Sequence, residues 1–88
     1  MKALIIEDEL LARVGMRSLL PWEELGITLL EDACDGKEAL QRIDKECPDV
    51  ILLDLNIPEI SGIELLKIIR NRHLPIKTIV VSCYDDFD

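Results

Sequence analysis

Two short apolar runs in this sequence end abruptly in acid. Ala3-Leu-Ile-Ile6 meets Glu7-Asp8-Glu9, and Val50-Ile-Leu-Leu53 meets Asp54. One acid after an apolar run is ordinarily a turn former or a helix cap. Three gathered in one crevice are harder to explain that way, because close unpaired carboxylates repel and raise one another's pKa. A hard divalent cation resolves the conflict. Mg²⁺ takes one or two carboxylates, a backbone carbonyl and several waters, and its remaining positions suit a phosphate oxygen. A carboxylate there can also act as a nucleophile toward phosphorus and form an aspartyl phosphate. Glu7, Asp8 and Asp54 are therefore a candidate Mg²⁺ site, provided the fold brings the ends of both runs together.

The elements that must do so can be read from periodicity. Residues 3–6, 27–30, 50–53 and 78–81 are short apolar runs of the kind expected for strands buried in a parallel sheet. Residues 9–20 have helical spacing, with Leu11, Gly15, Met16 and Leu19 on one face and Glu9, Arg13 and Arg17 on another. Pro21 ends that helix, and Trp22 beyond it reads as a hydrophobic plug over the sheet edge or helix end. Asp35 and Glu38 have capping-box spacing for a second helix with Ala39, Leu40, Ile43 and Cys47 inward, stopped by Pro48. Ser61 and Glu64 repeat the spacing for a third, with Leu65, Leu66 and Ile69 inward; His73-Leu74-Pro75 breaks it. The resulting β-α-β-α-β-α-β order argues for an α/β fold with a parallel sheet. In such sheets ligands bind beyond the carboxyl ends of the strands, which here means residues 7–9, 54–62 and 82–88.

Composition sets further bounds. The chain has 88 residues, a net charge of −8 and 49% hydrophobic content, enough apolar material for one small folded domain. Eighteen acids against ten bases disfavour direct nucleic-acid contact. No apolar run could span a bilayer, and Glu7, Asp8 and Glu9 interrupt the N-terminal stretch too soon for a signal peptide. Cys34, Cys47 and Cys83 form neither an even set nor a C-x-x-C pair, so reduced, mostly buried thiols in the cytoplasm are expected. His73, among Arg70, Arg72 and Pro75, reads as a C-terminal cap rather than a reactive group.

The stretch Asp54-Leu-Asn-Ile-Pro-Glu-Ile-Ser-Gly62 resembles the phosphoacceptor loop of bacterial response-regulator receiver domains, and the rest of the chain agrees with that family along its length. The resemblance implies a flavodoxin/CheY-like doubly wound sheet of strand order 2-1-3-4. It makes Asp54 the phosphorylated aspartate, with Glu7, Asp8, Asp54 and the backbone carbonyl of Asn56 holding Mg²⁺. Ser82 is similar to the switch hydroxyl that moves to the phosphoryl group, and Tyr84 occupies a position that modulates access to it. Cys83 departs from the small Gly or Ala usual beside the switch residue. The implied role is a regulatory phosphoacceptor, not an enzyme, loaded by a sensor histidine kinase and controlling a transcriptional output domain that would make any DNA contact. Leu20-Pro-Trp-Glu-Glu-Leu-Gly-Ile27 and Ser82-Cys-Tyr-Asp-Asp-Phe87 look more particularly like receivers joined to AraC-type helix-turn-helix domains.

Receivers also have a fifth strand, the Lys that follows it, and two further helices, none of which has a counterpart in residues 1–88. The chain therefore reads as a receiver incomplete at its C-terminus, with weak phosphate acceptance. Its last strand would expose a hydrophobic edge through which two copies could pair or exchange strands. Three other readings stay open. An aspartyl-phosphate phosphatase would need a second Asp where Asn56 stands. A flavin or nucleotide module would need Gly, Ser or Thr amides where Glu7-Asp8-Glu9 would repel the ligand. A pseudo-receiver would serve as a non-switching dimerisation module.

Overall fold

The computed structural model describes residues 1–81, and Ser82, Cys83 and Tyr84 lie outside that range. Four parallel strands, β1 (Lys2–Ile6), β2 (Thr28–Leu29), β3 (Val50–Leu53) and β4 (Lys77–Val80), alternate with three helices, α1 (Leu10–Arg17), α2 (Gly36–Glu46) and α3 (Gly62–Asn71). The sheet order is β2-β1-β3-β4, all parallel. The central pair β1 and β3 is in register from Ala3↔Val50 to Ile6↔Leu53.

Alternation along β1 and β3 sends side chains to two cores. Leu4, Ile6, Ile51 and Leu53 pack against Ala39 and Ile43 of α2 and Leu65 and Ile69 of α3. Ala3, Ile5 and Leu52 pack on the other face against Met16 of α1 and Trp22. Each fully buried Leu or Ile contributes about 1.5–3 kcal/mol. That both faces of β1 and β3 are covered explains why these strands are continuously apolar rather than alternating.

The first helix departs from its expected span. α1 ends at Arg17, short of the expected residue 20, because Trp22 Nε1 donates to the Arg17 carbonyl at 3.0 Å and the chain turns to bury the indole. With Trp22 filling that side of the sheet, Met16 is the one fully buried residue of α1. Leu11, Gly15 and Leu19, expected inward, are exposed. Arg13, expected on the outer face, is mostly buried. The strand expected at 27–30 shrinks to Thr28–Leu29, and the one expected at 78–81 begins one residue earlier.

α2 and α3 begin much as their spacing predicts. The Asp35 side chain accepts from the Glu38 amide at 2.7 Å, but Glu38 Oε1 takes the amide of Cys34 instead of returning to Asp35, so the box is only half formed. Ser61 and Glu64 form the reciprocal pair in full. The expectation of buried thiols fails, since Cys34 and Cys47 are both exposed and free. Cys47 is not on α2's inner face because it caps the helix in a left-handed conformation, φ 48°. The Cys34 thiol donates to Glu38 Oε1 at 3.2 Å, and that hydrogen bond pushes its pKa up. Among the described residues no helix is long and apolar enough to cross a membrane.

Candidate functional site

Strand register creates the site. Ile6 pairs with Leu53, so the next residues, Glu7 and Asp54, leave adjacent strands at the same level. The Asp54 amide donates to the Ile6 carbonyl, and the Glu7 amide to the Ala33 carbonyl, so each acid has its backbone held by a neighbouring chain. Asp8 follows Glu7 directly. One carboxylate oxygen from each of Glu7, Asp8 and Asp54 lies within 4.8 Å of the others. The two acidic runs singled out in the sequence thus converge.

Their surroundings differ. Glu7 is 1% exposed, Asp54 half-buried and Asp8 exposed. Glu7 Oε2 accepts from the Glu9 amide at 3.0 Å, while Oε1 is buried with no hydrogen-bond partner among the described residues. Burial first, and then the adjacent Asp54 and Asp8, push the Glu7 pKa up to about 7, against the opposing pull of the Glu9 amide. A buried oxygen left without a donor, on a carboxylate grouped with two more, makes a donor set a hard cation fits. Glu7, Asp8 and Asp54 fit Mg²⁺ on that ground.

The loop after Asp54 is fastened at several points. Asp54 Oδ1 accepts from the Asn56 amide at 3.0 Å, closing a tight turn at the strand end. Ile57 is buried in the core shared by α2 and α3. The Gly36 amide donates to the Pro58 carbonyl at 3.1 Å, and a Cβ at Gly36 would stand 1.9 Å from the Ile60 carbonyl oxygen. The start of α2 is thereby pressed against the loop. Glu59 takes a left-handed conformation, φ 70°, to complete the bend into α3.

Other residues weighed in the sequence lie elsewhere. His73 is exposed just past the far end of α3, where its amide donates to the Arg70 carbonyl and Arg72 is the cap. Lys77 stands level with Val50, at the opposite end of the sheet from Asp54. Ser82 falls outside the described residues. The residue that periodicity misplaced is Arg13, whose Nη1 donates to the Glu7 carbonyl at 2.9 Å. Its available signal was position, one helical turn after the acidic triplet.

The chain is similar to known proteins along nearly its whole length. The profile of the response regulator receiver domain family matches residues 3–88. The transcriptional regulatory protein HptR of Staphylococcus aureus is 34% identical over 87 residues, which is 99% of this chain but 34% of that protein. The chain therefore spans only a minor part of that relative's length. Among solved structures, the receiver (REC) domain of AraT, a response regulator from Geobacillus stearothermophilus, has a TM-score of 0.86 at 37% identity, covering 98% of this chain and 67% of that one. A DNA-binding response regulator of the LuxR family from Staphylococcus aureus has a TM-score of 0.82 at 32% identity, covering 98% and 71%. With the family's profile running through both acidic strand ends, and the same sheet order carrying them, the chain belongs to the response regulator receiver domain family.

Proposed function

We propose that this chain is the phosphoacceptor unit of a two-component response regulator, with Asp54 as the acceptor. The family is regulatory rather than catalytic, and its members typically hold Mg²⁺ in an acidic pocket. The observation that carries the reading is the convergence of Glu7, Asp8 and Asp54, with one Glu7 oxygen buried and without a partner among the described residues. These three side chains, with the Asn56 carbonyl, would hold Mg²⁺, which when bound neutralises charge on a phosphoryl group and orients it.

The chain's own residues supply position. Asp54 attacks phosphorus as its carboxylate. The P–O bond to Asp54 forms as the P–N bond of a sensor kinase's phosphohistidine breaks, and the imidazole leaves with the electron pair. Asn56 holds Asp54 Oδ1 through its amide, so the carboxylate is oriented before reaction. Ser82 is the proposed hydroxyl partner of the new acceptor oxygens. Output is proposed to be transcriptional, through a DNA-binding domain beyond this segment. The motifs at 20–27 and 82–87 favour the AraC-type class, and the cytoplasm is the proposed compartment.

Phosphorylation by acetyl phosphate, with and without Mg²⁺, on the wild type and Asp54→Asn tests the reading. The phosphatase alternative loses ground at Asn56, which offers an amide where a second acid is required.

A further inference from the structure

We propose that Arg13 is a positioning residue for the Glu7–Asp8 acid pair, and that it acts through the Glu7 carbonyl rather than through either carboxylate; this rests on the Mg²⁺ reading above. Arg13 lies in α1 with its side chain 19% exposed. Its Nη1 donates to the Glu7 carbonyl oxygen at 2.9 Å, and its Nε lies 3.9 Å from Asp32 Oδ2. Asp32 is in turn paired with Arg17.

The backbone around Glu7 explains what this contact accomplishes. The Ile5 and Ile6 carbonyls are taken by the amides of Ala33 and Asp54, which continue the sheet ladders. At Glu7 the ladder ends. Its amide still donates to Ala33, and Arg13 supplies the donor for its carbonyl. A carbonyl at a strand end would otherwise turn to water and leave the next peptide free to rotate. With both main-chain groups of Glu7 held, the directions in which the Glu7 and Asp8 side chains leave the chain are fixed.

The guanidinium is also kept away from the carboxylates. Among the described residues no Lys or Arg nitrogen forms an ion pair with Glu7, Asp8 or Asp54; Arg13 is paired with Asp32. An arginine on the acids themselves would compete with a cation for their oxygens. One anchored on Asp32 and the Glu7 carbonyl orders the ligands without occupying them, which is the part played by groups that hold metal ligands from behind.

The test is Mg²⁺ binding by the full chain, measured calorimetrically at pH 8, beside thermal unfolding in chelator. The variants are Arg13→Met, Arg13→Lys and Arg17→Met. Arg13→Met is expected to weaken Mg²⁺ roughly tenfold. Arg13→Lys recovers part of the loss, since an ammonium can reach the carbonyl but lacks the fork that also reaches Asp32. Arg17→Met removes the same charge and the other ion pair to Asp32, yet should leave Mg²⁺ affinity within roughly twofold of wild type. Wild-type affinity in Arg13→Met, or equal weakening in Arg17→Met, overturns the proposal. If Arg13→Met does not fold, Arg13→Lys decides: intermediate weakening supports the role and unchanged affinity overturns it. Failure of the wild type itself to bind Mg²⁺ overturns the underlying site as well, so the two failures are distinguishable.

Discussion

Glu7 and Asp54 face one another because each is the first residue after a register-paired position, Ile6 opposite Leu53. Two acids that are 47 positions apart in sequence become neighbours through one ladder of backbone hydrogen bonds. Asp8 is carried to them by the turn into α1.

Glu7 makes the metal-free protein pH-sensitive. Its folded pKa, pushed up to about 7 by burial first, lies above the ordinary carboxylate value of 4.5. The folded state therefore holds a proton that the unfolded chain releases. Its contribution to stability is fully present below about pH 4.5 and is lost as pH rises through 7. In chelator, the thermal midpoint should fall across that window, and Glu7→Gln should raise it at pH 8 by an amount equivalent to roughly 1–3 kcal/mol. The same variant should abolish the stabilisation that Mg²⁺ gives the wild type. Melting curves from pH 5 to pH 8, with and without Mg²⁺, check both expectations.

The loop after Asp54 should respond oppositely to two substitutions. At Gly36 an added Cβ meets the Ile60 carbonyl oxygen at 1.9 Å, so Gly36→Ala must push α2 and the loop apart, at a cost of roughly 1–3 kcal/mol. At Glu59 the left-handed φ of 70° strains any residue with a Cβ, so Glu59→Gly should stabilise by up to ~1 kcal/mol. Urea unfolding followed by circular dichroism reads both.

Trp22 has two separable functions, filling the core beside Met16 and closing α1 through its Nε1 bond to Arg17. Trp22→Phe keeps most of the volume and should cost about 1 kcal/mol for the lost hydrogen bond. Trp22→Ala should cost roughly 3–5 kcal/mol. Because Trp22 is the chain's one tryptophan, circular dichroism rather than fluorescence must follow these unfolding curves.

The sheet and the acid cluster were legible in the sequence because each depends on a local pattern. β1 and β3 are apolar on both faces, and an acid follows each directly, so strand position alone placed Glu7 and Asp54. Ser61 and Glu64 marked the start of α3 for the same local reason. α1 was not legible. Its end is set by Trp22 folding back onto the sheet, a tertiary contact that leaves Leu11 and Leu19 exposed despite their helical spacing. Arg13 was misplaced because its partners, the Glu7 carbonyl and Asp32, come from the chain just after β1 and just after β2. The exposure of Cys34 and Cys47 was hidden too, since one precedes a helix cap and the other forms one.

The most direct measurement of the central claim is intact-mass spectrometry after incubation with acetyl phosphate. One phosphoryl group per chain is expected, dependent on Mg²⁺ and absent in Asp54→Asn. No labelling of the wild type, labelling that persists in chelator, or labelling that survives Asp54→Asn would contradict it.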